Sequence, residues 1–125
     1  MEEELSGISN GALLNRAADE SKPYEFRLRA GRKAVREYAN AGDSKKLESV
    51  YCDIRLPREV GVEAGLELVR YAEMRGQDLR LGYLKGSFME EVSKAAAEAL
   101  KRMYGGKRPI ENPAMPARGK AATRA

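Results

Sequence analysis

Four cations in one short run, Arg29, Arg32, Lys33 and Arg36, have the clearest chemical potential in this chain. On a helix turning about 100° per residue they share one arc, at i, i+3, i+4 and i+7. A row of cations along one face suits a phosphate backbone, because successive charges meet it at several points. Three of the four are Arg, whose planar fork grips phosphate oxygens two at a time. A second basic group closes the chain, where Lys107, Arg108, Arg118, Lys120 and Arg124 face Glu111 alone. These two groups are the candidate nucleic-acid-binding residues. The plainer readings are a solvated helix face, partly balanced by Glu25 and Glu37, and an unconstrained terminus.

Catalytic chemistry has little to work with. The chain has no His, which removes the commonest general base and the commonest transition-metal ligand. With a single cysteine besides, a structural zinc site lacks its ligands. Ser87 has no imidazole to activate it as a nucleophile. Gly82-x-x-x-Gly86 is not followed by the Lys-Ser/Thr pair of a nucleotide loop, and Gly61-x-x-x-Gly65 falls inside a helical pattern. Carboxylate-only catalysis, or magnesium held by carboxylates, is the remaining enzymatic option. The Asp and Glu residues sit mainly where solvated helix faces want them. No cofactor is expected.

The elements that position the stripe follow from hydrophobic spacing. With 125 residues, 42% hydrophobic and 34% charged, the chain fits one domain with an extensive polar surface. Residues 1 to 10 read as a flexible acidic leader, 11 to 106 as a helical domain, and 107 to 125 as a basic flexible tail with three prolines. The tail carries the whole net charge of +4, since the residues before it balance. Ser9 or Asn10 caps a helix to about Glu20. Ser21 opens a second, with Pro23 in its first turn, which carries the stripe and stops at Gly42. Tyr24, Leu28, Val35 and Tyr38 occupy the arc opposite the stripe, and Phe26 lies at its edge. Asp43 or Ser44 caps a further turn.

Residues 48–56 alternate in polarity, with Val50, Cys52, Ile54 and Leu56 on one side, and so predict a strand that buries the Cys52 thiol. Residues 78–84 alternate more weakly and read as its pairing partner or as an ordered loop. Between them, 58–75 predicts a helix apolar over most of its circumference, centred on Leu66 and Val69. Gly61 and Gly65 imply close packing against a neighbour. The last helix begins at a capping-box spacing, Ser87 to Glu90, and ends at Gly105-Gly106. Phe88, Val92, Ala95, Ala96, Ala99 and Met103 make its apolar face.

From residue 50 to 104, the order of strand, Leu56-Pro57-Arg58-Glu59-Val60 and two helices resembles the ribbon-helix-helix class of DNA-binding dimers. It departs from that class at Gln77 to Gly86, where the class has a tight turn, and in the length of both helices. No site residue is carried over from the resemblance.

The expected fold is therefore mainly α, with about four helices and one short two-stranded β element at 48–56 and 78–84. The expected function is non-catalytic association with nucleic acid, as a small regulator or as a nucleoprotein, viral or phage assembly subunit. The alternative is a protein–protein adaptor or accessory subunit whose tail docks on the acidic surface of a larger partner. A homo-oligomer is expected from the exposed edge of strand 48–56 and from the wide apolar arc that Val60 and Tyr71 give the third long helix. The acidic start, the mean hydropathy of −0.60 and the lack of a long apolar run point away from export and from the membrane. They point to the cytoplasm, or to the inside of a virion or nucleoprotein assembly.

Overall fold

The fold begins at Ser9, whose Oγ accepts the Ala12 amide at 3.2 Å and caps α1 (Asn10–Ala18). Leu13 and Ala17, one turn apart, are its buried residues. In the turn that follows, the Asp19 carboxylate accepts from both the backbone and the hydroxyl of Ser21. Pro23 then stands at the N-cap of α2 (Tyr24–Asn40). The computed structural model describes residues 5–105, and the basic tail from Lys107 onward lies outside them. So do Glu2, Glu3 and Glu4 of the acidic leader, whereas Leu5 is buried against the core.

Gly42 ends α2 in a left-handed conformation (φ +69°), and the Asp43 amide reaches back to the Tyr38 carbonyl at 2.9 Å. The Asp43 carboxylate in turn caps α3 (Ser44–Tyr51) by accepting the Lys46 amide. After Pro57 comes α4 (Arg58–Met74), which Gly76 ends in the same way as Gly42 ends α2, with the Gln77 amide on the Ala72 carbonyl. The last two helices are α5 (Asp78–Lys85) and α6 (Glu90–Met103).

Helices α1 and α2, α3 and α4, and α5 and α6 pack as sequential pairs, while α4 touches α2, α3, α5 and α6. The buried side chains form one cluster. Glycines permit the close approach at its centre. A Cβ on Gly65 would stand 2.5 Å from Val92 of α6, one on Gly61 2.8 Å from Met89, and one on Gly31 2.5 Å from Val60. The close packing expected at Gly61 and Gly65 is therefore present.

The mainly α class holds, but among the described residues there are six helices rather than about four, and no strand. The additional helices are the two segments that alternation assigned to the β element. In 48–56 the buried residues are Val50, Tyr51 and Leu56, and the first two join Leu47 at helical spacing, i, i+3 and i+4. Cys52 and Ile54, expected on the buried side of a strand, are exposed. In 78–84, Leu81 and Leu84 are buried one turn apart. The likeness to a ribbon-helix-helix protein loses its ribbon, and with it the strand edge that suggested an oligomer.

The start of α6 also differs from expectation. Met89 is the N-cap residue, and Ser87 lies before the helix, where its Oγ accepts the Met89 amide at 3.0 Å and bonds the Tyr51 hydroxyl. Phe88 is thus excluded from the apolar face of α6, on which Val92, Ala96, Ala99 and Leu100 are buried.

Candidate nucleic-acid interface

The core-facing side of α2 is set by Phe26, Ala30, Gly31, Ala34, Val35 and Tyr38, all buried. At about 100° per residue their arc centres nearly opposite the one that holds Arg29, Arg32, Lys33 and Arg36. Burial of the first set therefore turns the second outward. Phe26, expected at the edge of the stripe, is only 2% exposed. Its small neighbours one and two turns on, Ala30 and Ala34, leave room for the ring to turn inward. Tyr24 departs from expectation in the other direction. It is exposed, and its hydroxyl donates to Glu59 of α4, which holds that carboxyl below its ordinary range.

All four stripe residues line one open depression of about 490 Å³, together with Leu5 and Ser6. Arg29 and Arg36 are exposed, while Arg32 and Lys33 are half-buried. The Arg32 guanidinium donates to Glu63 of α4, which ties α2 to the central helix. Lys33 donates to Glu37 one turn along at 2.9 Å. Neither glutamate lines the depression. Arg36 makes no ion pair among the described residues. At least two of the four cations therefore meet counter-charges that a phosphate must compete with. The described residues carry 18 basic and 15 acidic side chains, and Glu2, Glu3 and Glu4 bring the chain ahead of the tail to balance. Lys107, Arg108, Arg118, Lys120 and Arg124 lie outside the described residues.

A second surface feature was not visible in the spacing. Ile54 is 93% exposed and Phe88 80% exposed, and both line a cleft of about 210 Å³ where the α3–α4 and α5–α6 connections meet. Its edge carries two ion pairs. Arg55 donates to the Asp53 carboxylate at 2.7 Å, and Arg58 donates through both terminal nitrogens to Glu91 at 2.9 and 2.7 Å. The Arg58 guanidinium lowers the Glu91 carboxyl to about 2. A carboxyl depressed on folding contributes stability that is present above its unfolded value and lost as pH falls through the folded one. The Glu91 side-chain carbon should thus titrate near pH 2 by NMR, and in Arg58→Gln move up toward the ordinary range. An ordinary midpoint in the unmodified chain would show that the pair does not form.

Among the described residues, no group of three or more Cys, Asp or Glu side chains is placed to hold a metal ion. No helix there is long and apolar enough to cross a membrane. Comparison with family models, with curated proteins and with solved structures gives no match, so the site is read from its own residues.

Proposed function

We propose that this chain is a non-catalytic nucleic-acid-associated protein that meets the phosphate backbone with the outer face of α2. The observation that carries the reading is the convergence of Arg29, Arg32, Lys33 and Arg36 on one open depression. Open geometry and repeated cations suit a continuous anionic backbone better than a small enclosed ligand, which binds in deeper and mostly apolar pockets. The cations of the tail supply a second source of phosphate contact, as expected of a small regulator or an assembly subunit. The test is the anisotropy of short labelled duplex and single-stranded oligonucleotides titrated with the full chain. Binding at about 50 mM salt that weakens as salt rises is expected. Absence of binding to either at that salt would overturn the reading. A protein–protein adaptor would then take its place, favoured by the exposed Ile54 and Phe88.

The same reading makes a prediction about the leader. Leu5 lines the depression, and Glu2, Glu3 and Glu4 precede it directly in the chain. Successive Cα atoms are about 3.8 Å apart, so chain connectivity alone limits the Cα atoms of these residues to within roughly 11 Å of that of Leu5. That is close to one screening length at about 0.1 M salt. They compete with phosphate for the same cations. Replacing all three by Gln should tighten oligonucleotide binding, most at low salt. Unchanged or weaker binding would show that the leader does not compete.

A further inference from the structure

A crevice of about 310 Å³ opens where the C-terminal end of α2 meets α4. Sequence spacing builds its α4 wall, since Glu67, Arg70, Tyr71 and Met74 recur at i, i+3, i+4 and i+7 and share one face of that helix. Arg75, which caps the end of α4, is exposed and places its guanidinium over the Tyr71 ring, 4.7 Å from the centroid. It makes no ion pair among the described residues, whereas Arg70 is held by Glu67 at 3.1 Å. Met74 adds a flexible thioether that is 84% exposed. The opposite wall is the last turn of α2, where Asn40 is exposed.

These groups suit a flat, uncharged ring with polar edges. A guanidinium stacked on a tyrosine presents its outer face to a further planar group, and nucleobases stack on both aromatic rings and arginine planes. The Asn40 amide supplies donors and an acceptor for the edge of such a ring. The last carbonyls of α2 carry partial negative charge, and the Glu67 carboxylate adds to it, which disfavours a phosphate in the crevice but not the amino group of a base. The crevice also continues the stripe. Asn40 stands one turn beyond Arg36, about 6 Å along the axis of α2 and only about 40° from it around the helix. We infer that the crevice takes one base of a strand whose phosphates lie on the stripe of Arg29, Arg32, Lys33 and Arg36. The inference rests on the reading of that stripe as a phosphate-binding face, and it makes single-stranded nucleic acid the preferred partner. A base inside a duplex is paired and stacked, and entering the crevice would require taking it out of the helix.

The test follows the methyl groups of the five methionines by NMR in the full chain, with the Met74 signal assigned by its loss in Met74→Leu. A single-stranded DNA oligonucleotide of about 12 nucleotides should shift the Met74 signal through the ring current of the bound base. A fully abasic strand of the same length, which keeps the phosphates and lacks the bases, should leave it in place. By anisotropy the single strand should bind more tightly than a duplex of equal length. Arg75→Gln should weaken the single strand on the order of tenfold, the loss expected of one stacked base, without changing the dependence on salt. Strand binding with an unmoved Met74 signal, or an equal shift from the abasic strand, overturns the inference and leaves the phosphate-binding reading of the stripe standing. A weakening by Arg75→Gln that comes with a salt slope shallower by about 0.7 overturns it as well, because Arg75 is then a phosphate contact. Absence of binding to any oligonucleotide is the separate result that removes the crevice and the stripe together.

Discussion

Leu68→Ala should lower the stability of the fold by about 2–5 kcal/mol, the range for emptying a buried leucine site. Leu66→Ala, two residues away on the same helix, should cost clearly less, about 1 kcal/mol, because it lies off the core face and over a third of it stays in water. Leu68 is 1% exposed and belongs to the core, whereas Leu66 is 36% exposed. The buried residues of α4 are Val60, Gly61, Ala64, Gly65, Leu68, Val69 and Ala72, and their arc runs through Leu68. Leu66 points roughly 150° from its centre at about 100° per residue. The cavity term raises the cost at Leu68, because α4 is packed by four other helices and has little freedom to collapse. Denaturant unfolding followed by far-ultraviolet circular dichroism measures both. Equal losses from the two substitutions would mean that the face of α4 turned to the core is wrongly identified.

The same helix illustrates what was legible in the sequence. Its span and its close packing at glycine followed from Pro57, the apolar run and Gly76, but the centre of its buried face did not. With apolar residues over most of the circumference, periodicity cannot choose between Leu66 and Leu68. Gly61 and Gly65 do choose, because a residue without a side chain in a helix interior marks where a neighbour comes closest, and both lie on the Leu68 side. The failure at 48–56 has a different cause. Val50, Cys52, Ile54 and Leu56 alternate like a strand, while Leu47, Val50 and Tyr51 repeat like a helix, and a run this short satisfies both. The cap at Asp43 decided the outcome by starting α3 just ahead of the run. Ile54 then fell beyond the end of α3, in a turn that leaves it exposed. The stripe on α2 was readable because its cations and its core residues separate cleanly on the helix. The two glutamates that hold Arg32 and Lys33 were only half visible: Glu37 lies on the same helix, but Glu63 comes from α4 and is reached only by folding.

That folded context sets the expected size of the electrostatic effect. Each phosphate neutralised on duplex DNA contributes about −0.9 to the slope of log affinity against log salt. If all four stripe residues engage, they contribute about −3.6, and their part of the affinity falls on the order of a hundredfold between about 50 and 200 mM salt. If Arg32 and Lys33 stay with Glu63 and Glu37, at most two contacts remain, the contribution is about −1.8 or shallower, and the fall is on the order of tenfold or less. Replacing Arg29, Arg32, Lys33 and Arg36 together by Gln in the full chain should make the slope shallower by up to about 3.6, and the amount tells how many of the four meet a phosphate. Neutralisation is the appropriate change at position 32, because reversal to Glu would set two carboxylates against each other where Arg32 now meets Glu63, and the fold would weaken for reasons unrelated to binding. Arg36→Gln alone should remove about 0.9 of the slope and leave the thermal midpoint in place, since that side chain is exposed and makes no ion pair among the described residues. The tail contributes separately, so a slope that survives the four substitutions unchanged would assign the whole salt dependence to the tail and reduce the α2 stripe to a solvated helix face.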